Sequence, residues 1–236
     1  MQYLKRIDGT VIAQGKSLRE LVESNKHDLR YANLSYANLR YVNLSYADLR
    51  YANLSNTDLM HANLSYVNLM HADLRYVNLS YVNLRYVNLR YANLSNTDLS
   101  YVNLSNTDLM HADLSYVNLM HADLSYANLS YADLMYADLR NTNLWNTNLR
   151  GADLRGAVRL NYKLTSNPIQ IYGLQYYVNI FDEHMEIGCE AHRFEDWERF
   201  ENKDIIRMDS SKAVEFWNVN KELLLKYCNM KAVGKR

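Results

Sequence analysis

From Leu29 to Leu154 every fifth residue is leucine, 26 in unbroken succession. Asn or Asp stands before each one. Two residues before it, from Ala32 onward, stands Ala, Val or Thr, and the residue after it is Ser, Arg, Met or Trp. A period of five matches neither a helix, at about 3.6, nor a long strand, at about 2. It fits a chain that turns a corner every five residues. Take the leucine as position i. In a short extended stretch, alternation sends i and i−2 to one side and i−1 to the other. The apolar pair must then point inward and the Asn or Asp outward, while i+1 and i+2 round the corner. Four sides of five residues make one coil of twenty. Successive coils stack at about 4.8 Å, the strand-pairing distance. Four leucines nearly fill so narrow a tube, and a small i−2 residue avoids overpacking it. Each buried leucine contributes roughly 1.5–3 kcal/mol.

The charge is distributed without a strong bias. The chain is neutral overall; residues 1–28 carry +1, residues 29–155 carry −1 from nine Arg and ten Asp, and the remainder balances. No segment is basic enough for a general nucleic-acid binder, and none forms an acidic block. The two cysteines, Cys189 and Cys228, point to reduced thiols rather than a disulfide framework. The first residues lack an apolar signal core, and no apolar stretch of about 18 residues is present. The reading is therefore a cytoplasmic protein that does not engage membranes.

The stretches YANLSYANLR and GADLRGA carry the motif A-(D/N)-L-x-x. The array thereby resembles the pentapeptide repeat family over more than half the chain. The resemblance implies an all-β solenoid, a right-handed quadrilateral β-helix. One departure stands out. Many members favour glycine at i+2, as Gly151 and Gly156 do, whereas fifteen repeats here place tyrosine there. Tyr31, Tyr51, Tyr91 and Tyr131 fall in one column along a corner.

An open β-helix needs caps at its ends. Residues 1–28 read as an N-terminal cap: a hairpin around Asp8-Gly9, then a helix to about Lys26 opened by a Ser17…Glu20 capping box. The array spans 29–157. Residues 158–236 read as a small α+β module, with two or three strands in 169–188, short helices in 194–208, and a longer helix capped by Ser211. That helix groups Val214, Trp217, Leu223, Leu224 and Tyr227 near one face. The segments EIGCEAH, EDWERF, IIRMD and EFWNVNKELLL resemble C-terminal segments of phage and prophage pentapeptide repeat proteins.

No catalytic constellation, cofactor motif or metal set emerges. His61, His71, His111 and His121 lie whole coils apart, too far to share a metal. Cys189, His192 and Cys228 lack the second close pair of a structural zinc site. Residues 55–74 and 105–124 differ only at Asn63 against Asp113. Their offset of fifty puts the copy on opposite faces, which argues against a residue-specific site in the rod. The expected function is a non-enzymatic protein-binding scaffold, phage-encoded and acting on a host protein. Recognition is assigned to the tyrosine column and to His192, Trp197 and Trp217. The alternative is a DNA mimic binding a topoisomerase or other DNA-binding protein, as the quinolone-resistance members of the family do with gyrase; its weakness is the near-neutral array. Trp145, an outward tryptophan where the tyrosines stop, is expected to be covered by the C-terminal module. The module is expected to form a homodimer, and no direct nucleic-acid contact is expected.

Overall fold

Parallel bridges join each i−1 residue to the one twenty positions on, without a gap from Asn33↔Asn53 to Asp138↔Val158. The chain therefore winds in coils of four pentapeptides. The computed structural model in which this is seen describes residues 1–209 and 211–233. Two compact units are distinguished, Met1–Lys163 and a second from Leu164 onward.

Each side is too short for more than a one-residue bridge, because the next corner starts almost at once. The leucine N–H donates up one coil, as from Leu84 to the Asn103 carbonyl at 3.0 Å. The i−1 N–H donates down one coil, as from Asn93 to Ala72 at 2.9 Å. At the corner, the N–H of the next i−2 residue returns to the leucine carbonyl, as from Ala92 to Leu89 at 3.0 Å. This closes a four-residue turn whose third residue is i+2. All 24 non-glycine residues at that position, from Tyr31 to Asn146, have φ between 54° and 62°. A type II turn requires positive φ there. For an L-residue other than glycine the left-handed conformation costs roughly 1–2 kcal/mol.

The leucines from Leu29 to Leu154 are all buried, as are the i−2 residues from Ala32 onward apart from Ala37. Where i−2 is threonine, the hydroxyl donates to a leucine carbonyl in the coil before. Thr107 reaches Leu84 at 2.8 Å, and Thr57, Thr97, Thr142 and Thr147 do the same. That bond is why a polar side chain is tolerated in a dry tube. The Asn and Asp at i−1 are mostly half-buried, not fully solvated as alternation alone suggests. Their Oδ1 turns back to accept the i+1 backbone N–H, as Asn93 does from Ser95 at 3.0 Å. The side chain thus serves the corner turn.

At the N-terminus, β1 (Gln2–Arg6) and β2 (Val11–Gly15) form the expected antiparallel hairpin. Gly9 takes φ of 90° in its turn. Strand β1 also pairs with β3 (Ala32–Asn33), so the hairpin covers the exposed edge of the first coil. Helix α1 (Leu18–Ser24) follows, then a 3-10 turn at Lys26–Asp28. The expected capping box is absent: Ser17 makes no side-chain cap, and the first helical N–H, that of Leu18, donates to Gln2 Oε1.

At the other end the coil continues one step beyond the last leucine. Arg159 occupies the next leucine slot and is buried. Its guanidinium donates to the carbonyls of Leu139 at 3.0 Å and Thr142 at 2.8 Å. The chain then turns back as a short hairpin, β4 (Val158–Arg159) with β5 (Tyr162–Lys163).

The second unit contains an antiparallel sheet of β6 (Ile169–Ile171), β7 (Val178–Ile180), β8 (His184–Ile187) and β9 (Glu190–Arg193) in sequential order. Helices α2 (Phe194–Arg199), α3 (Asn202–Met208) and α4 (Ser211–Val233) follow. Ser211 is the first residue of α4 and not its cap. The buried stripe of α4 is Phe216, Trp217, Leu224 and Cys228; Leu223, expected on that stripe, is exposed. Its spacing from Trp217 and Cys228 rotates it off the face that meets the sheet.

Candidate functional site

The residue at i+2 emerges from the turn sideways, so side chains at one corner lie over each other coil by coil. Tyr31, Tyr51, His71, Tyr91, His111 and Tyr131 form one continuous stack. Successive ring centroids lie 4.7–5.1 Å apart and interplanar angles do not exceed 12°. The four tyrosines assigned to a column are therefore together, and two of the array histidines fill the gaps between them. The other two also stack, His61 between Tyr41 and Tyr81, and His121 on Tyr101. The column ends where glycine begins. A Cβ on Gly151 would lie 2.7 Å from the Tyr131 ring, and one on Gly156 would lie 2.6 Å from the ring of Tyr136.

Ring faces are consumed by the stack, so the column presents edges and hydroxyls. Tyr31, Tyr91 and Tyr131 remain exposed. Arginines line the same wall at i+1. Arg30 lies 5.7 Å from the centroid of the Tyr31 ring, and Arg90 lies 5.8 Å from that of Tyr91. Such contacts hold the guanidinium stems against the rings.

Where one repeat has Asp at i−1 and Arg at i+1 the two pair, except at the first, where Asp28 pairs with Arg6 instead of Arg30. Asp48–Arg50, Asp73–Arg75, Asp138–Arg140 and Asp153–Arg155 are 2.5–2.7 Å apart. The hydrogen bond from arginine holds each of these carboxyls below its ordinary range. A lowered carboxyl adds stability above the ordinary carboxylate range, and that stability is lost as pH falls through the lowered values. We expect a quadruple variant, Arg50, Arg75, Arg140 and Arg155 each to Gln, to be slightly less stable than wild type at pH 7. That gap should begin to narrow as pH falls below about 4 and close only once the lowered carboxyls are protonated. Urea midpoints at pH 7 and pH 3 check this, and a constant gap would show that the pairs do not carry it.

Trp145 projects from the repeat unit. Its packing partner comes from the array itself: Tyr126, one coil earlier, meets it edge-on at 4.8 Å. An i+1 side chain leans toward the corner column, which is where it finds that ring.

In the second unit, Trp197 and Trp217 are each 2% exposed and belong to its core. Their rings are 5.2 Å apart. They are not surface contact residues; large aromatics are what a small sheet-and-helix unit has to build a core from. His192 packs edge-on against Trp197 and Phe200, and its Nε2 lies 3.2 Å from Glu190. Cys189 is exposed and free. Cys228 is buried beside Met185, with its sulfur 3.8 Å from the methionine sulfur, and burial pushes its thiol up to about 12. Among the described residues, no group of three or more His, Cys, Asp or Glu could hold a metal ion. No helix among them is long and apolar enough to cross a membrane.

Sequence reasoning missed two features, the positive φ of every corner and the inward Arg159. The first had a signal. Asn, His and Gly share the i+2 position with Tyr, and these types are enriched in the left-handed region.

The family model described as pentapeptide repeats matches residues 37–75, 78–115, 103–135 and 118–156, together half of the chain. The chain belongs to the pentapeptide repeat family. Among solved structures, this pentapeptide repeat protein is similar to HetL of the cyanobacterium Nostoc sp. strain PCC 7120, involved in heterocyst differentiation regulation, at 31% identity. That match covers 54% of this chain and 76% of HetL, with a TM-score of 0.26. It is also similar to a pentapeptide repeat protein of the cyanobacterium Cyanothece 51142 at 30% identity, covering 51% of this chain and 65% of the other, with a TM-score of 0.28. A third is QnrB1, a plasmid-mediated fluoroquinolone resistance protein, at 24% identity, covering 55% of this chain and 78% of that one, with a TM-score of 0.28. No match was found among curated proteins.

Proposed function

We propose that this pentapeptide repeat protein is a non-enzymatic scaffold that binds another protein. In this reading residues 1–28 cap a right-handed quadrilateral β-helix of residues 29–157, and residues 158–236 form an α+β module. The observation that carries the reading is the six-ring column from Tyr31 to Tyr131, flanked by Arg30, Arg50, Arg90 and Arg150. Stacking removes the conformational freedom that aromatic side chains otherwise lose on binding, and Tyr and Arg are favoured at interface centres. A rigid wall of ring edges and guanidiniums has no cavity to exclude water from a reaction, which disfavours catalysis there. The protein acts in the cytoplasm, encoded by a phage and directed at a host protein; the phage-like C-terminal segments support this last step.

Affinity capture from host lysate tests the reading. We expect the triple variant Tyr51→Ser, Tyr91→Ser, Tyr131→Ser to lose its protein partner at least about tenfold, the effect of one interface hot spot or more. Unchanged capture would remove the column from recognition. The alternative, DNA mimicry, is weakened by the pairing of surface carboxylates with arginine, since a mimic needs an unneutralised negative field. Inhibition or protection of gyrase supercoiling at stoichiometric protein would nevertheless establish it.

The C-terminal module also carries a self-association surface in this proposal. Val219, Leu223 and Met230 are exposed along one stripe of α4. An apolar stripe on a helix favours a two-fold partner with the same stripe. Sedimentation should give a dimer near twice 27.7 kDa, and Leu223→Asp should give a monomer. A monomeric wild type would refute the dimer.

A further inference from the structure

The pentapeptide Ser-Asn-Thr-Asp-Leu occurs three times, at 55–59, 95–99 and 105–109. Each copy puts a short asparagine at the corner position that tyrosine or histidine fills in most repeats. Asn56 and Asn96 share one corner two coils apart, in the column Tyr36, Asn56, Tyr76, Asn96, Tyr116, Tyr136. Tyr116 stacks on Tyr136 at 4.9 Å, but among the described residues Tyr36 and Tyr76 meet no other ring. These rings are correspondingly open. Tyr36, Tyr76 and Tyr116 are 79%, 58% and 59% exposed, against 42–49% for Tyr31, Tyr91 and Tyr131 of the unbroken stack. Coils repeat at the strand-pairing distance, so the corners on either side of one asparagine are about 9.6 Å apart. Adjacent rings of the unbroken stack lie 4.7–5.1 Å apart. The gap over Asn56 and the gap over Asn96 are therefore each one flat group deep.

Charge decides which flat group fits. Asp98, two residues past Asn96, is exposed and makes no ion pair among the described residues. Asp58 holds the same place beside Asn56, where Arg40 comes no nearer than 3.4 Å. Arg75, next to Tyr76, is committed to Asp73 at 2.7 Å. The third copy differs, because the chain's own arginines serve it: Arg85 lies 5.3 Å from the centroid of the Tyr86 ring, and Arg90 pairs with Asp108 at 3.7 Å. A guanidinium is planar and cationic, stacks on aromatic faces and donates to a carboxylate; an ammonium lacks the plane. In a polyproline II segment, side chains three residues apart leave the same side about 9.3 Å from each other. That matches the two coils between the gaps, about 9.6 Å. We propose that the gaps over Asn56 and Asn96 hold the two arginine side chains of a partner's Arg-x-x-Arg segment in polyproline conformation. This rests on the reading of the array as a protein-binding wall and assigns a second corner of it.

The probe is the blocked peptide acetyl-Arg-Pro-Pro-Arg-Pro-Pro-amide, titrated into the full-length protein carrying ¹³C-labelled tyrosine rings. It should bind saturably and move the Tyr76 and Tyr116 ring resonances. The same peptide with lysine for arginine keeps the charge and should bind roughly tenfold more weakly. Acetyl-Arg-Arg-Pro-Pro-Pro-Pro-amide keeps the composition but loses the spacing, and should bind roughly fivefold more weakly. Asn56→Tyr with Asn96→Tyr closes both gaps with the residue that most repeats carry at the corner, and should erase the preference for arginine. A urea midpoint no lower than wild type shows that this variant is folded. Asp98→Asn, a residue the repeat already accepts at i−1, should weaken the arginine peptide roughly fivefold. No saturable binding at about 10 mM peptide would overturn the proposal, the affinity then being below that of a single hot spot. So would equal affinity for the lysine or the respaced peptide, or unchanged binding by the double tyrosine variant or by Asp98→Asn. The titration contains no host protein, so its failure is distinct from a failed capture of the partner.

Discussion

Leu84→Asp should destabilise the repeat array by roughly 4 kcal/mol or more, combining lost apolar burial with a carboxylate forced into a water-free tube. Leu84 is 1% exposed and lies midway along the array. Its N–H is committed to Asn103 and its carbonyl to Thr107 Oγ1 and the Val87 N–H, so the backbone cannot rotate the new side chain outward without breaking the ladder. Because a solenoid is held by nearest-neighbour contacts, the damage should start in the coils on either side and then propagate. Urea unfolding followed by far-UV circular dichroism measures the loss, with Ser100→Asp as a control at an outward i+1 position. A Leu84→Asp protein as stable as the control would mean that the leucines do not form the core.

Arg159→Ala should cost about 3 kcal/mol, by leaving two buried carbonyls short of a donor and the tube end unfilled. Arg159→Leu separates the two contributions. It restores an apolar side chain in the slot that 26 leucines fill elsewhere, yet still leaves Leu139 and Thr142 without the guanidinium. We expect it to recover only part of the loss. Amide exchange in the last coil should quicken in both variants, since an uncovered end frays first. If Arg159→Leu matches or exceeds wild type, the guanidinium does not serve as the end plug.

Much of the array was legible before any coordinates. A leucine every fifth residue admits few solutions, and the twenty-residue coil, the inward i and i−2 positions and the shared column of Tyr31, Tyr51, Tyr91 and Tyr131 all follow from it. The hairpin at Asp8-Gly9 was equally readable, because a two-residue turn signal acts locally. Trp197 and Trp217 were misread as contact residues. Trp197 lies on a six-residue helix too short to show a periodic face, and Trp217 lies on a helix with apolar residues on several sides, so the local pattern does not reveal which side meets the sheet.

The sequence by itself determined the repeat, the coil and the identity of the core, since each pentapeptide solves the same local problem and its neighbours in space lie a fixed twenty residues away. Only the tertiary structure decided that Asn and Asp at i−1 bend back onto the corner, that Tyr sits at φ near 60°, and that Arg159 turns inward to close the end. These outcomes depend on what the adjacent coil offers. A tyrosine accepts the left-handed corner because another ring lies about 4.9 Å away to stack on it, and an arginine enters a leucine slot because carbonyls at the end of the rod wait for a donor. Neither partner is visible from the five residues of one repeat.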